Sequence, residues 1–233
     1  MGDLAPRDVD RMHTLLADYF QNVDRGRFEE DLAEKRWVII LRDAITGRLE
    51  GFSTLMELRA SLDGEPVVAY FSGDTIVGRE HWGQTALARL WARHAFGLAA
   101  EVPVGRVYWL LISSGYKTYR YLSTFFREFY PTYERPTPAP IKRTLDALAS
   151  QKFPSEYDVQ RGIVRLSRAA PLRPGVAEVT DRRLSDPHVA FFVAANPGHR
   201  RGDELVCLTE LTPANLTPAG QRMLTGRDIG GAV

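Results

Sequence analysis

Val67-Val68-Ala69-Tyr70-Phe71-Ser72-Gly73-Asp74-Thr75-Ile76-Val77 reads as one apolar strand interrupted by a polar, glycine-bearing triplet. A glycine inside a strand marks a bulge or a close backbone approach. The loop Gly78-Arg79-Glu80-His81-Trp82-Gly83-Gln84-Thr85-Ala86 follows. Leu87, Leu90, Trp91, His94 and Leu98 then recur at the spacing of a single helical face. Val107-Tyr108-Trp109-Leu110-Leu111-Ile112 is a second apolar strand. After Ser113-Ser114-Gly115 comes a helix with Tyr119, Leu122, Phe126 and Phe129 on one face, stopped by Pro131. Strand, helix and strand in this order predict a βαβ unit with parallel strands and a right-handed crossover. The helix after the first strand presents unpaired N–H groups to the loop, an attractive seat for phosphate, and Gly83 permits close backbone approach.

Upstream, Pro6 opens a helix that carries Val9, Met12, Leu16, Tyr19, Phe20 and Val23 at helical spacing, and a short helix with Phe28 and Leu32 inward follows. Trp37 to Arg42 is a strand, Asp43 to Gly47 a turn, and Leu49 to Ala60 the next strand. Asp63-Gly64 is a hairpin turn into the strand near Val67, so an antiparallel meander precedes the βαβ unit. Downstream, Tyr130 to Pro140 is a proline-rich connector and Ile141 to Gln151 a helix. Phe153 to Asp186 is weakly patterned and is expected to cap the site. Val189 to Ala195 and Glu204 to Leu211 read as a closing strand pair, and Pro218 to Leu224 as a helix in the tail.

The chain of 233 residues carries 44% apolar residues and a net charge of +1, with basic and acidic residues mixed. That argues for one large domain and against a dedicated nucleic-acid binder. No apolar run is long enough for a membrane span, and Met1 to Pro6 lacks a signal core, so a cytoplasmic protein is expected. Arg7 stands where myristoylation at Gly2 would need Ser or Thr. Cys207, the only cysteine, lies in an apolar run and reads as a buried small hydrophobe. No histidine falls at metal-ligand spacing, and no metal is expected.

The stretch from Val67 to Phe129 resembles the acyl-donor half of the GNAT acyltransferase superfamily. There a bulged strand leads into a loop Gln/Arg-x-x-Gly-x-Gly/Ala that grips the pyrophosphate of coenzyme A. The matching hexad here is Glu80-His81-Trp82-Gly83-Gln84-Thr85. Only Gly83 fits strictly, Glu80 replaces the Gln or Arg, and Arg79 lies one position off. The order of elements extends the likeness over about three quarters of the chain, with the family's first strand absent. The resemblance implies an α/β fold with a mixed, twisted sheet whose central parallel strands splay. It implies one acyltransferase domain over residues 1–215, with 131–186 as connector and capping insertion and 216–233 as a tail. The implied donor site is Ile76, Val77, Arg79, His81, Trp82, Gly83, Gln84, Thr85, Ala86 and Ser113. The donor would be coenzyme A, acyl-CoA or the phosphopantetheine of an acyl carrier protein, and the acceptor a small-molecule amine. A homodimer is left open. Two rivals remain: a binding module that has lost its donor, and a pantetheine-thioester enzyme turned to hydrolysis or decarboxylation.

Acyl transfer needs a base for the amine, a donor to polarise the carbonyl, and an acid for the leaving thiolate. A backbone N–H on the splayed strand serves the second need. Tyr116, at the mouth of the helix after the second strand, is the preferred acid, with Ser114 beside it; Tyr119 faces the core. Glu57 on the strand from Leu49 and Asp74 at the bulge are the candidate bases. His81 reads as a solvated loop histidine and His94 as a core one. The aromatic crowding from Tyr116 to Tyr133 fits either an acyl pocket or a helix packed on both sides.

Overall fold

The computed structural model describes residues 4–226. The readings at Met1 and Gly2, and residues 227–233 of the tail, lie outside them. The chain opens with α1 (Pro6–Ala17) and α2 (Arg25–Glu34), then the meander β1 (Trp37–Arg42), β2 (Leu49–Leu62) and β3 (Glu65–Val77). A 3-10 turn at Arg79–His81 leads to α3 (Ala86–Ala100), β4 (Arg106–Ser113), α4 (Tyr116–Phe125) and α5 (Ala139–Lys152). The short strands β5 (Tyr157–Asp158) and β6 (Ile163–Val164) follow, then α6 (Asp181–Leu184), α7 (Pro187–Ala195), β7 (Glu204–Glu210) and α8 (Pro218–Thr225). The strands form one sheet in the order β1-β2-β3-β4-β7-β6-β5, antiparallel everywhere except between β3 and β4.

Alternation along the strands divides the core. Leu55, Val68, Tyr70, Trp109 and Leu111 face α3 and α4. Leu58, Ala69, Phe71, Leu110 and Val206 face α5, while Phe52 and Ile76 face α1 and α2 on the same side. The Asp63-Gly64 turn is observed, with φ of 53° and 84°, the left-handed pair that a tight hairpin requires. No described helix is long and apolar enough to cross a membrane.

The central event is the parting of β3 from β4. Their parallel pairing runs from Val67↔Arg106 to Ser72↔Leu111 and stops, although both strands continue. At the same place β3 gains a residue on β2: Leu55 faces Ser72, but Ser53 faces Thr75. That is a bulge at Gly73-Asp74, and it turns β3 away from its parallel neighbour. Glycine is required there, because a Cβ on Gly73 would lie 2.6 Å from Thr54 Oγ1 and 2.7 Å from Lys35 Cε. The last paired rung is locked from the other face. The Ser72 hydroxyl accepts from Trp91 Nε1 at 3.0 Å and Trp109 Nε1 at 2.9 Å, and the two indoles pack 4.3 Å apart.

Three expectations are corrected. Val189 to Ala195 is not a strand but α7. Pro187 stands in its first turn, Asp186 caps it by accepting from His188 N, and Val189 and Phe192 are buried three residues apart. A continuous apolar run carries no period by itself, and the cap decides. The partner of β7 at the sheet's far side is therefore β6. The helix after β4 ends at Phe125, well before Pro131. Phe126 and Tyr130 leave it to form bridges with Leu216 and Leu208. The α1 face also ends sooner, so Tyr19, Phe20 and Val23 lie beyond Ala17. Helix α8, in the stretch expected as a tail, packs against α3 and α4, with Leu216 buried beneath it.

Replacing Ser72 by Ala should strand two buried indole N–H groups and lower stability by about 2–4 kcal/mol in urea unfolding. A change below about 0.5 kcal/mol would show that the rung does not depend on that hydroxyl.

Candidate functional site

Beyond Ser72 the two parallel strands leave a wedge between them. On the face covered by α2 and α5, Asp74 stands on the β3 side of the wedge. Glu204, at the start of β7 beside the end of β4, stands on the other. The register places both there, since Asp74 alternates with the α1-facing Ile76, and Glu204 with the α5-facing Val206. Both are half-buried. Burial, with a lesser push from Asp31, raises the Asp74 carboxyl to about 7 despite the lowering effect of Lys35. Burial, then the charges of Asp74 and Asp31, raises Glu204 to about 8. The two carboxyls feel one another and titrate as a coupled pair.

The α2 end supplies the surround. Lys35, its side chain fully covered, binds Asp31 through the carboxylate at 2.6 Å and the carbonyl at 2.9 Å. Lys152 at the end of α5 pairs with Glu34 and lies 4.0 Å from Asp31. Thr54, opposite the bulge, is buried and its hydroxyl has no hydrogen-bond partner. Thr54 pairs with Val38 of β1, and on the β3 side the bulge leaves it without a partner between Ser53 and Leu55.

The loop expected to hold phosphate, residues 78–86, lies between β3 and α3. Gly83 has φ of 88° with open space at its Cβ position, and Thr85 is the N-cap but makes no side-chain cap. The first amides of α3 are thus left to other partners. Trp82 donates to the Tyr19 hydroxyl at 2.6 Å, and Tyr19 in turn donates to the Val77 carbonyl at 2.6 Å. Val77 remains paired with Gly51, and Ile76 is buried in the α1 core. His81 hydrogen-bonds Gln84 at 3.2 Å and lies 3.9 Å from Glu50. Glu50, Glu80 and His81 place ligand atoms within 4.8 Å of one another. Glu50, however, is already held by Arg11 at 3.1 Å and Arg48 at 3.3 Å, which neutralise it for a cation.

The sequence candidates divide accordingly. Asp74 lies at the wedge. Glu57 does not: it pairs opposite Tyr70, before the strands part, and is bound to Arg59 at 2.5 Å. Tyr116 and Ser114 sit where β4 turns into α4, both buried, and the Ser113 hydroxyl is spent on the Gly115 carbonyl at 2.7 Å. Tyr119 is a core residue donating to the Pro131 carbonyl at 3.0 Å. His94 packs edge-on against Trp37, and burial lowers its basicity. Of the aromatic crowd, Tyr116, Tyr119, Phe126, Phe129 and Tyr130 are buried, whereas Tyr121 and Tyr133 are 46% and 47% exposed. Cys207 is buried and burial pushes its thiol up, as an inert core residue requires. Glu204, Lys35 and Thr54 escaped sequence reading. Glu204 is one polar end of an apolar strand, and only its parity with Val206 places it at the wedge.

A segment from the weakly patterned region is tied across this end of the sheet. Gln21 N donates to the Pro171 carbonyl at 2.8 Å and Arg173 N to that of Tyr19 at 2.7 Å. Leu172 packs over Gly115, where a Cβ would lie 2.8 Å from it.

A bulged strand leaves its parallel neighbour, a helix crosses between them, and a later strand slots in antiparallel beside the second. This is the order of elements that the resemblance to the GNAT superfamily implies. No family model matches the sequence, and no curated protein matches it. Among solved structures it is similar to an aminoglycoside 6'-N-acetyltransferase complexed with coenzyme A. That match has 11% identity and a TM-score of 0.40 over 91% of this chain and 96% of that one. A Mycobacterium tuberculosis protein in complex with coenzyme A gives 12%, 0.40, 88% and 95% in the same order. A conserved Enterococcus faecalis protein, described as a probable N-acyltransferase, gives 15%, 0.41, 54% and 31%. The chain thus spans about a third of that protein's length.

The raised carboxyls make a pH-dependent demand on stability. In the folded chain Asp74 and Glu204 keep their protons up to about 7 and 8, whereas the unfolded chain releases them near 3.8 and 4.5. Folding stability is therefore full below the lower pair and falls as pH rises through the upper pair. Asp74→Asn and Glu204→Gln should each unfold like the parent at pH 3 and gain about 1–3 kcal/mol over it at pH 9. A pH-independent difference in denaturant unfolding would contradict the burial of these charges.

Proposed function

We propose that the protein is an acyltransferase that moves an acyl group from a pantetheine thioester to a small-molecule amine. The observation that carries this is the pairing of the wedge with Asp74 and Glu204 at its edges. A parted strand pair offers unpaired backbone groups to a peptide-like arm, and a base tuned near neutrality stands where the arm's end would lie.

In this reading the thioester carbonyl takes a hydrogen bond from the β3 backbone beyond Ser72, which stabilises the negative charge that develops on its oxygen. The amine gives a proton to Asp74 and its nitrogen bonds to the carbonyl carbon. The carbon–sulfur bond breaks, and the thiolate takes a proton from Tyr116, with Ser114 adjacent. Glu204 stands across the wedge and exchanges protons with Asp74 as the pair resets. Thr54 lines the acceptor side, where its orphaned hydroxyl can hydrogen-bond an amine. The amides before α3, with Gly83 and Arg79, hold the donor's phosphate.

Calorimetric titration with coenzyme A and acyl-CoA of several chain lengths tests the donor site. Micromolar binding that is lost in Gly83→Trp, with the fold kept by circular dichroism, is expected; unchanged affinity in that variant would move the phosphate seat elsewhere. For the chemistry, kcat/KM should rise with pH through about 7, following Asp74. Asp74→Asn should cut kcat by about 10²–10⁴ with little change in donor affinity. Tyr116→Phe should lower kcat alone, and full turnover at saturating substrate would remove Tyr116 from the mechanism.

A further inference from the structure

On the α4 side, the loop before α3, α4 and α6 carry Arg79, Lys117, Arg120, Arg182 and Arg183 against the three acids Glu80, Asp181 and Asp186. The Lys117 ammonium lies 4.3 Å from the centre of the Trp82 ring and the Arg79 guanidinium 5.7 Å from it. Burial, then Arg183 and then Arg79, lowers the Lys117 ammonium below its ordinary value. Among the described residues, Arg79, Lys117, Arg182 and Arg183 have no carboxylate partner; Arg120 alone is paired, with Asp186. A cavity of about 460 Å³ opens between α4 and α6; its charged lining is Lys117, Arg120, Arg182 and Arg183 with one carboxylate, Asp186. The whole chain has a net charge of only +1, so this concentration is local.

We infer that this face receives an acidic carrier protein, which delivers the acyl donor on its phosphopantetheine arm. The inference rests on the acyl-transfer reading and names the donor's source. Free coenzyme A carries the same arm, so the surface beyond the phosphate must distinguish the two. The diphosphate and 3'-phosphate of coenzyme A would be met at the loop, by the first amides of α3 with Arg79 and Lys117. Here the cations continue outward onto α6, where Arg182 and Arg183 are exposed. Leu184, 40% exposed, sits beside them. An exposed apolar side chain next to two exposed arginines suits a protein interface with charge complementarity more than a phosphate seat. Trp82, 43% exposed and steadied by its bond to Tyr19, gives the arm a rigid wall where it would turn into the wedge.

The test is titration of the full chain, by fluorescence anisotropy, with a labelled acyl carrier protein bearing an octanoyl-phosphopantetheine arm, and by calorimetry with octanoyl-CoA. The parent is compared with Arg182→Glu/Arg183→Glu. The expected result is a loss of carrier affinity of at least tenfold in the double variant, and again between 50 and 300 mM salt, with the octanoyl-CoA Kd changed less than twofold. Equal losses for both donors would assign the patch to nucleotide phosphates and overturn the inference. Octanoyl-CoA binding without carrier binding would overturn it while leaving the acyl-transfer reading intact. Failure of both donors would sink that reading and the inference with it. Binding of a short RNA or DNA duplex that is lost in the double variant, with no carrier binding, would reassign the face to nucleic acid.

Discussion

Everything in this molecule depends on where β3 stops pairing with β4. Six rungs of parallel pairing end at Ser72↔Leu111. The extra residue at Gly73-Asp74 then turns β3 aside while it stays paired with β2. Two indoles bound to one serine hydroxyl hold the final rung on the α3 side, and a glycine lets Lys35 and Thr54 close in on the other. Without the bulge, the strands would have no reason to part, since continued pairing satisfies backbone groups that the wedge leaves open. That cost, in a sheet otherwise well paired, is what the proposed pantetheine arm would offset by pairing with the open backbone.

The same opening sets the electrostatics. Asp74 and Glu204 flank a wedge that is covered enough to penalise their charges. Removing either charge would steady the fold, which is the opposition between stability and activity expected of a working site. Lys35 moderates the cost without abolishing it, because its ammonium is already engaged by Asp31. The two sides of the wedge are also unlike in sign. Carboxyls gather on the α2–α5 face and unmatched cations on the α4–α6 face, so an anionic donor and a cationic acceptor would approach from opposite sides.

Most of the fold was legible in the sequence because its signals are local. The Asp63-Gly64 turn, the meander, the βαβ unit and the Ser72-Gly73-Asp74 interruption each announce themselves within a few residues. The failures were of two kinds. Val189 to Ala195 is apolar throughout, so it carries no period, and its helical state comes from a cap and from packing on α4. Phe126 to Tyr130 carries a helical spacing that tertiary bridges to Leu208 and Leu216 override. At the site, Asp74 was legible because it interrupts a strand. Glu57 was equally plausible by sequence, and its register places it two rungs short of the wedge. Glu204 had no local signal, since it lies far along the chain from Asp74 and reaches it only because β7 slots beside β4.

The most direct measurement of the account is a crystal structure of the chain with a non-hydrolysable acyl-CoA analogue. The account predicts the pantetheine arm lying between β3 and β4, its amides bonded to the β3 backbone beyond Ser72, and its acyl carbonyl within reach of Asp74. An arm bound outside the wedge, or strands zipped together past Ser72 with the analogue elsewhere, would contradict it.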